Sequence, residues 1–271
     1  MAIPLLNRPP RVALVRLDGL VAARPGPFPG GLSANGTREV LERAFGLRRL
    51  AAVMLVVNSP GGSPVQSSLI AACIRRLAEE RKVPTIAVAE DAAASGGYWI
   101  ACAADEIIAD PASILGSIGV VSAGFGLDQA IGRLGVERRL RTAGSEKSFL
   151  DPFRAEREAD VARLEDLLAK LHAEFKGWVR SRRGARLKAP EETLFTGRFW
   201  TGREAVELGL ADGLGTAEGE ARRRFGEKVR IIRLGGRRRP FPWRLLPGAR
   251  DGVEAVAAAI EERAAWARLG L

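Results

Sequence analysis

The sequence predicts an α/β fold, and three observations carry that reading. Short apolar runs of strand length alternate with longer runs of helical period along the chain. One of them, Ala51 to Val57, is apolar without interruption, the pattern of a strand buried on both faces. The chain has 271 residues, 46% of them hydrophobic, so it is long enough for one large core and too apolar for disorder.

The elements follow in order. Arg11 to Leu17 reads as the first strand. Ala51 to Val57 is the next, and it ends in Asn58-Ser59-Pro60-Gly61-Gly62-Ser63-Pro64 before an amphipathic helix, Val65 to Glu80. Thr85 to Ala89 is a strand-like run leading to Ala94-Ser95-Gly96-Gly97-Tyr98-Trp99, which opens an apolar helix-like run, Tyr98 to Ala103. Glu106 to Ala109 and Ile118 to Val121 are further strands. Ala155 to Arg183 is a long charged helix, and Asp251 to Leu269 a terminal one with Val253, Val256 and Ile260 on one face. No internal repeat is visible, so the chain is read as one unit rather than a fused pair.

Ser95 is the most informative residue. It sits on a strand-to-helix turn, where free N–H groups and the positive end of the helix dipole favour developing negative charge. The following glycines admit close backbone approach. That is a place for a nucleophile, and the same residues also fit a serine N-cap with a glycine packing site. Gly61-Gly62, at the C-terminal end of a strand, fit N–H donors to an oxyanion or an ordinary βα turn. The glycine and lysine spacing of a phosphate loop is absent.

A histidine base would have to be His172, the sole histidine. It lies beside the Leu164, Leu168, Leu171 and Phe175 stripe and reads as a helix-surface residue. Lysine is the alternative, because a neutral amine accepts a proton. Six lysines stand among 42 basic residues: Lys82, Lys147, Lys170, Lys176, Lys188 and Lys228. Lys147, in the small-residue turn Gly144-Ser145-Glu146-Lys147-Ser148, keeps lysine where the chain elsewhere uses arginine, which cannot lose its proton near neutral pH. It also fits a solvated loop lysine.

Together these segments resemble the serine–lysine peptidases of the signal peptide peptidase A type, family S49, in their short single-unit form. The matching stretches are Asn58 to Pro64, Ala93 to Glu106, Gly116 to Val120, Leu134 to Lys147, Asp151-Pro152-Phe153, Leu194 to Gly202 and Leu208 to Gly215. The resemblance implies a crotonase- and Clp-peptidase-like stack of ββα units with a C-terminal helical extension. It implies Ser95 as nucleophile, Lys147 as general base, Gly61 or Gly62 with Gly96 as the oxyanion hole, and Ser117 as the residue orienting the lysine. It implies hydrolysis of signal peptides or other short unfolded peptides through an acyl-enzyme, with no cofactor and no metal. It further implies a homo-oligomer, an eight-subunit ring, in which one subunit's serine meets a neighbour's lysine. Two other classes share some of these residues: a crotonase-fold acyl-CoA enzyme, and a catalytically silent scaffold at a membrane.

The domain reading is a flexible N-terminus over 1–10, a peptidase domain over 11–220, and a basic-aromatic segment with a terminal helix over 221–271. The net charge is +10, and it concentrates after residue 220, above all in Arg237-Arg238-Arg239-Pro240-Phe241-Pro242-Trp243-Arg244. That pattern suits peripheral contact with an anionic membrane or a solvated tail, and no nucleic-acid motif accompanies it. The two cysteines, Cys73 and Cys102, lack metal or redox spacing and read as reduced core thiols. With no transmembrane run and no signal-peptide core in the first residues, a cytoplasmic chain, peripheral at the inner membrane face, is expected.

Overall fold

The computed structural model describes residues 9–23, 31–144, 146–235, 259–260 and 262–271. It divides into two units: residues 1–118 with 176–271, and residues 119–175.

The first unit opens with β1 (Arg11–Asp18), the short β2 (Leu20–Val21) and β3 (Gly31–Leu32), and α1 (Ala34–Phe45). Then come β4 (Leu50–Ser59), α2 (Pro64–Arg81), β5 (Thr85–Ala94), α3 (Gly96–Ala101), β6 (Glu106–Ala109) and β7 (Ile114–Gly116). The eight-stranded sheet is parallel except for one pair, so its strands are joined by helical crossovers. β1 pairs with β4, β4 with β5, and β5 with β6, all in parallel register.

Side-chain alternation explains why the middles of β1 (Val12 to Val15) and β4 (Ala52 to Val57) are apolar without a break. Val12, Ala52, Met54, Ile86, Val88 and Ile108 form one buried face. Ala13, Val15, Val53, Leu55 and Ala87, one residue out of step, are equally buried. Helices α1 and α3 pack against β1, β4 and β5.

β5 changes partner along its length. Ile86–Ala89 pair with β6, whereas Ala92–Ala94 pair with β7. The register against β4 shifts between Val57 and Ser59. Asn58 spans that shift, donating to Asp91 at 2.8 Å and accepting from the Ala92 N–H at 3.1 Å. The last three residues of β5 are thereby steered onto β7 and end at Ser95.

After residue 175 the first unit continues with the end of α5 (Glu158–Arg183), then α6 (Glu191–Leu194), β8 (Phe199–Thr201), α7 (Gly202–Glu207), β9 (Gly213–Leu214), α8 (Ala217–Phe225) and β10 (Arg230–Leu234). β8 pairs antiparallel with β7. Ala217 and Phe225 of α8 pack on the first face of the sheet. β10 pairs with β1, so strand pairing extends into the segment after residue 220. At the C-terminus, Leu269 and Trp266 pack on Ala92, Ala94 and Ile114, while Ile260 is exposed.

The strand expected over Ile118 to Val121 does not form. Gly116 and Ser117 both take positive φ, 102° and 52°, which ends β7 there. Ile118 is still buried, but as an irregular segment. The basic-aromatic run Arg237 to Arg244 and residues Val253 and Val256 lie outside the described residues. No helix among the described residues is long and apolar enough to cross a membrane.

The second unit holds α4 (Asp128–Arg133), a turn over residues 146–150 and the first part of α5. The Leu127 N–H donates to the Pro152 carbonyl at 2.6 Å, and Arg138 pairs with Asp151 at 3.2 Å. A concavity of about 590 Å³ is lined by residues including Phe125, Leu127, Leu150 and Asp160. Much of its apolar surface faces outward: Phe125 is 85% exposed and Leu134 77%.

Candidate active site

Ser95 joins β5 to α3 with φ 51° and ψ −119°. A side chain rarely adopts positive φ, and in a non-glycine residue it is a strained conformation that clusters at functional sites. Its backbone is held at both polar groups. The N–H donates to the Gly116 carbonyl at 2.8 Å, and the carbonyl accepts from the Trp99 N–H at 2.9 Å. The side chain makes no capping hydrogen bond, and the residue is half-buried. The N-cap expectation therefore fails on its defining contact: the hydroxyl is held by no described residue.

The glycine loop lies against this turn. Val21 donates its N–H to the Gly61 carbonyl and accepts from the Ser63 N–H, both at 2.7 Å. That pairing uses the groups on either side of Gly62 and leaves the Gly62 N–H outside it. Gly62 has φ 137°, and a Cβ there would strike the Val21 carbonyl. Gly61 lies on Ser95: a Cβ on Gly61 would stand 2.7 Å from both the Ser95 Cβ and the Gly96 nitrogen.

The two loop glycines differ in what their N–H groups do. The Gly61 N–H donates to the Ser59 Oγ at 3.1 Å, and the Ser59 hydroxyl donates to the Gly19 carbonyl at 2.7 Å. The N–H groups of Gly62 and Gly96 have no acceptor among the described residues. The two lie close together, since the Cβ position of Gly96 is 3.2 Å from the Gly62 nitrogen. The same position is blocked by the Ser67 Oγ, which donates to the Ser63 carbonyl at 2.9 Å. A Cβ on Gly96 would displace the Ser67 hydroxyl, and the result is two adjacent, unused donors at the Ser95 turn.

The short helix α3 is anchored well beyond its own hydrogen bonds. Tyr98 is fully buried and donates to the Leu210 carbonyl at 2.8 Å. Trp178 donates to the Trp99 carbonyl at 2.9 Å and stacks on the Trp99 ring. At the C-terminal end of α3, Arg182 donates to the Cys102 carbonyl at 2.9 Å and Arg75 to the Ala103 carbonyl at 3.2 Å. Arg186 donates to the Asp105 carbonyl at 2.8 Å. Cationic groups there satisfy the free carbonyls and complement the dipole. Asp105 itself is pushed up by burial, but bonds from Thr85 and the nearby Arg75 outweigh that and hold its carboxyl below the usual range.

Ser117 follows β7, with φ 52°, half-buried, and donates its N–H to the Arg198 carbonyl at 2.7 Å. The first unit therefore brings together Ser95, Gly61, Gly62, Gly96 and the Gly116-Ser117 turn. Lys147 belongs to the second unit, on the exposed turn over residues 146–150, and its N–H donates to the Gly144 carbonyl at 3.2 Å. His172 lies half-buried on α5, also in the second unit. No group of His, Cys, Asp and Glu among the described residues is placed to hold a metal. Val21, Ser59 and Ser67 escaped the sequence reading. Ser59 stood inside the quoted loop motif, whereas Val21 and Ser67 carry no local signal.

The model of peptidase family S49 matches residues 78–230, more than half of the chain. The chain belongs to peptidase family S49. A Synechocystis sp. relative, slr0021, named as a candidate protease, is 32% identical over 69% of this chain and 68% of its own length. The chloroplastic serine protease SPPA of Arabidopsis thaliana is 30% identical over 83% of this chain and 34% of its own length. A Brucella abortus protein named Na(+)/H(+) antiporter NhaA is 44% identical over 96% of this chain, which spans 37% of that protein. Among solved structures, a mutant of the 1510-N membrane-bound stomatin-specific protease aligns with 83% of this S49 chain and 98% of its own, at 16% identity and a TM-score of 0.48. Membership of S49 places the chain in a family of peptidases and agrees with its mainly parallel α/β sheet.

Proposed function

We propose that this S49 peptidase is a serine endopeptidase with a Ser95–Lys147 dyad that hydrolyses signal peptides or other short unfolded peptides. The carrying observation is the half-buried Ser95 at φ 51°, with the unused N–H groups of Gly62 and Gly96 beside it. The Ser95 Oγ attacks the scissile carbonyl carbon, and the neutral Lys147 amine takes the hydroxyl proton. The N–H groups of Gly62 and Gly96 stabilise the resulting oxyanion. Gly61 is set aside as a donor because its N–H already serves Ser59. Lys147 returns the proton to the leaving amine, leaving an ester on Ser95. Water, deprotonated by the same amine, then cleaves that ester and restores the serine. Ser117 orients the lysine.

The assembly is a homo-oligomer in which Lys147 of one copy serves Ser95 of a neighbour. Supporting this are the exposure of Lys147 and the outward-facing Phe125, Leu134 and Val136 of the same unit.

The test is complementation on an unstructured fluorogenic peptide. Ser95→Ala and Lys147→Ala proteins are each inactive, and mixed oligomers of the two regain part of the rate. Co-assembled but inactive mixtures contradict the shared dyad, and an active Ser95→Ala protein contradicts the nucleophile.

A further inference from the structure

Three arginines meet at the N-terminal edge of the main sheet, the edge opposite Ser95. Arg11 begins β1, Arg49 immediately precedes β4 and Arg230 begins β10. With Pro9 they line a concavity of about 270 Å³. Arg11 and Arg230 are direct register partners on adjacent strands, and the Arg11 N–H donates to the Arg49 carbonyl at 3.4 Å.

Two features of this arrangement are unfavourable in the chain alone. Like charges directly opposite on neighbouring strands repel, and none of the three pairs with a carboxylate among the described residues. Other arginines of the chain are paired, as with Arg16 to Asp18, Arg183 to Asp212 and Arg224 to Glu106. In addition, Arg49 holds φ 60°, a conformation that glycine adopts without strain.

We infer that Arg11, Arg49 and Arg230 form an anion pocket for a phosphate group. Three guanidinium forks approaching from three chain segments match a tetrahedral dianion, whose oxygens each accept from a fork. The concavity exceeds the volume of a phosphate, so it also admits part of the group esterified to it. That phosphate belongs either to a small soluble ester or to a lipid headgroup. The pocket and the Ser95 turn lie at opposite ends of β4 and β5, so occupancy and peptide hydrolysis are separable.

Calorimetry on the full chain with pyrophosphate and glycerol 3-phosphate, and flotation with phosphatidylcholine vesicles with or without phosphatidic acid, test this. The pocket variant is Arg11→Gln, Arg49→Gly, Arg230→Gln. The charge-matched control is Arg38→Gln, Arg133→Gln, Arg203→Gln, three exposed arginines elsewhere. The pocket variant weakens binding about tenfold or more, while the control changes it by less than about twofold. Arg49→Gly alone folds with no loss of thermal stability and loses phosphate affinity. Binding of the soluble probes identifies a soluble ester as the source, and binding only to phosphatidic acid vesicles identifies a headgroup. Absence of binding to every phosphate probe, or equal losses in the two triple variants, overturns the pocket.

Discussion

The Ser95 N–H donates to the Gly116 carbonyl at 2.8 Å, so the strained turn carrying the hydroxyl is tied to the end of β7. Gly116 is itself constrained: φ is 102°, and a Cβ would stand 2.7 Å from the Trp200 ring. Gly116→Ala is expected to cost about 1–3 kcal/mol of stability through strain and overpacking. Peptide hydrolysis should fall further than the loss of folded protein explains. Thermal unfolding and kcat/KM measured on the same preparation check this.

Gly96→Ala places a methyl against the Ser67 Oγ and close to the Gly62 nitrogen. It should lower kcat by about a hundredfold, the scale of losing an oxyanion donor. Adding Ser67→Ala removes the hydroxyl and should restore thermal stability without restoring kcat, because the contact near the Gly62 nitrogen remains. Recovery of both would make Gly96 a packing residue only.

Asp212 is pushed up by burial, but the bonds from Arg183 and the Ile107 N–H outweigh that and hold its carboxyl low. Asp105 is likewise held low. A carboxylate with a lowered folded pKa contributes stability above its ordinary pKa of about 4, and loses it as pH falls through the folded value. Asp212→Asn should therefore destabilise the chain by about 3 kcal/mol at neutral pH, since it leaves the buried Arg183 without its counter-charge. The gap from wild type should close in acid. Urea unfolding across pH measures it.

Much of this was legible in the sequence. β1, β4, β5, β6, α2 and α5 follow from apolar period and length, and Ser95 and the glycine loop from their place after strands. β10 was not legible, because Ile231 and Ile232 sit between arginines and the charge masks the strand. The choice between Gly61 and Gly62 was not legible either. The proposed choice of Gly62 rests on the Ser59 hydroxyl, which accepts from the Gly61 N–H, a contact without a sequence signal. The strand expected at Ile118 to Val121 failed because positive φ at Gly116 and Ser117 has no signature in an apolar run.

The cysteines are both unpaired. Burial pushes the Cys102 thiol up to about 12, so little thiolate exists at pH 8. Native protein treated with iodoacetamide at that pH should leave Cys102 unmodified, and denatured protein should react fully. Fast native labelling of Cys102 would mean that α3 opens readily, contrary to its anchoring by Tyr98, Trp178 and the three arginines.

The proposed role of Ser95 as the acylated nucleophile is tested most directly by mass mapping of a fluorophosphonate adduct. Native protein should carry one adduct, on Ser95, absent in Ser95→Ala and in denatured chain. The adduct should also be lost in Lys147→Arg, because arginine cannot accept the proton. An adduct on another serine, or labelling that persists in Ser95→Ala, would contradict that role.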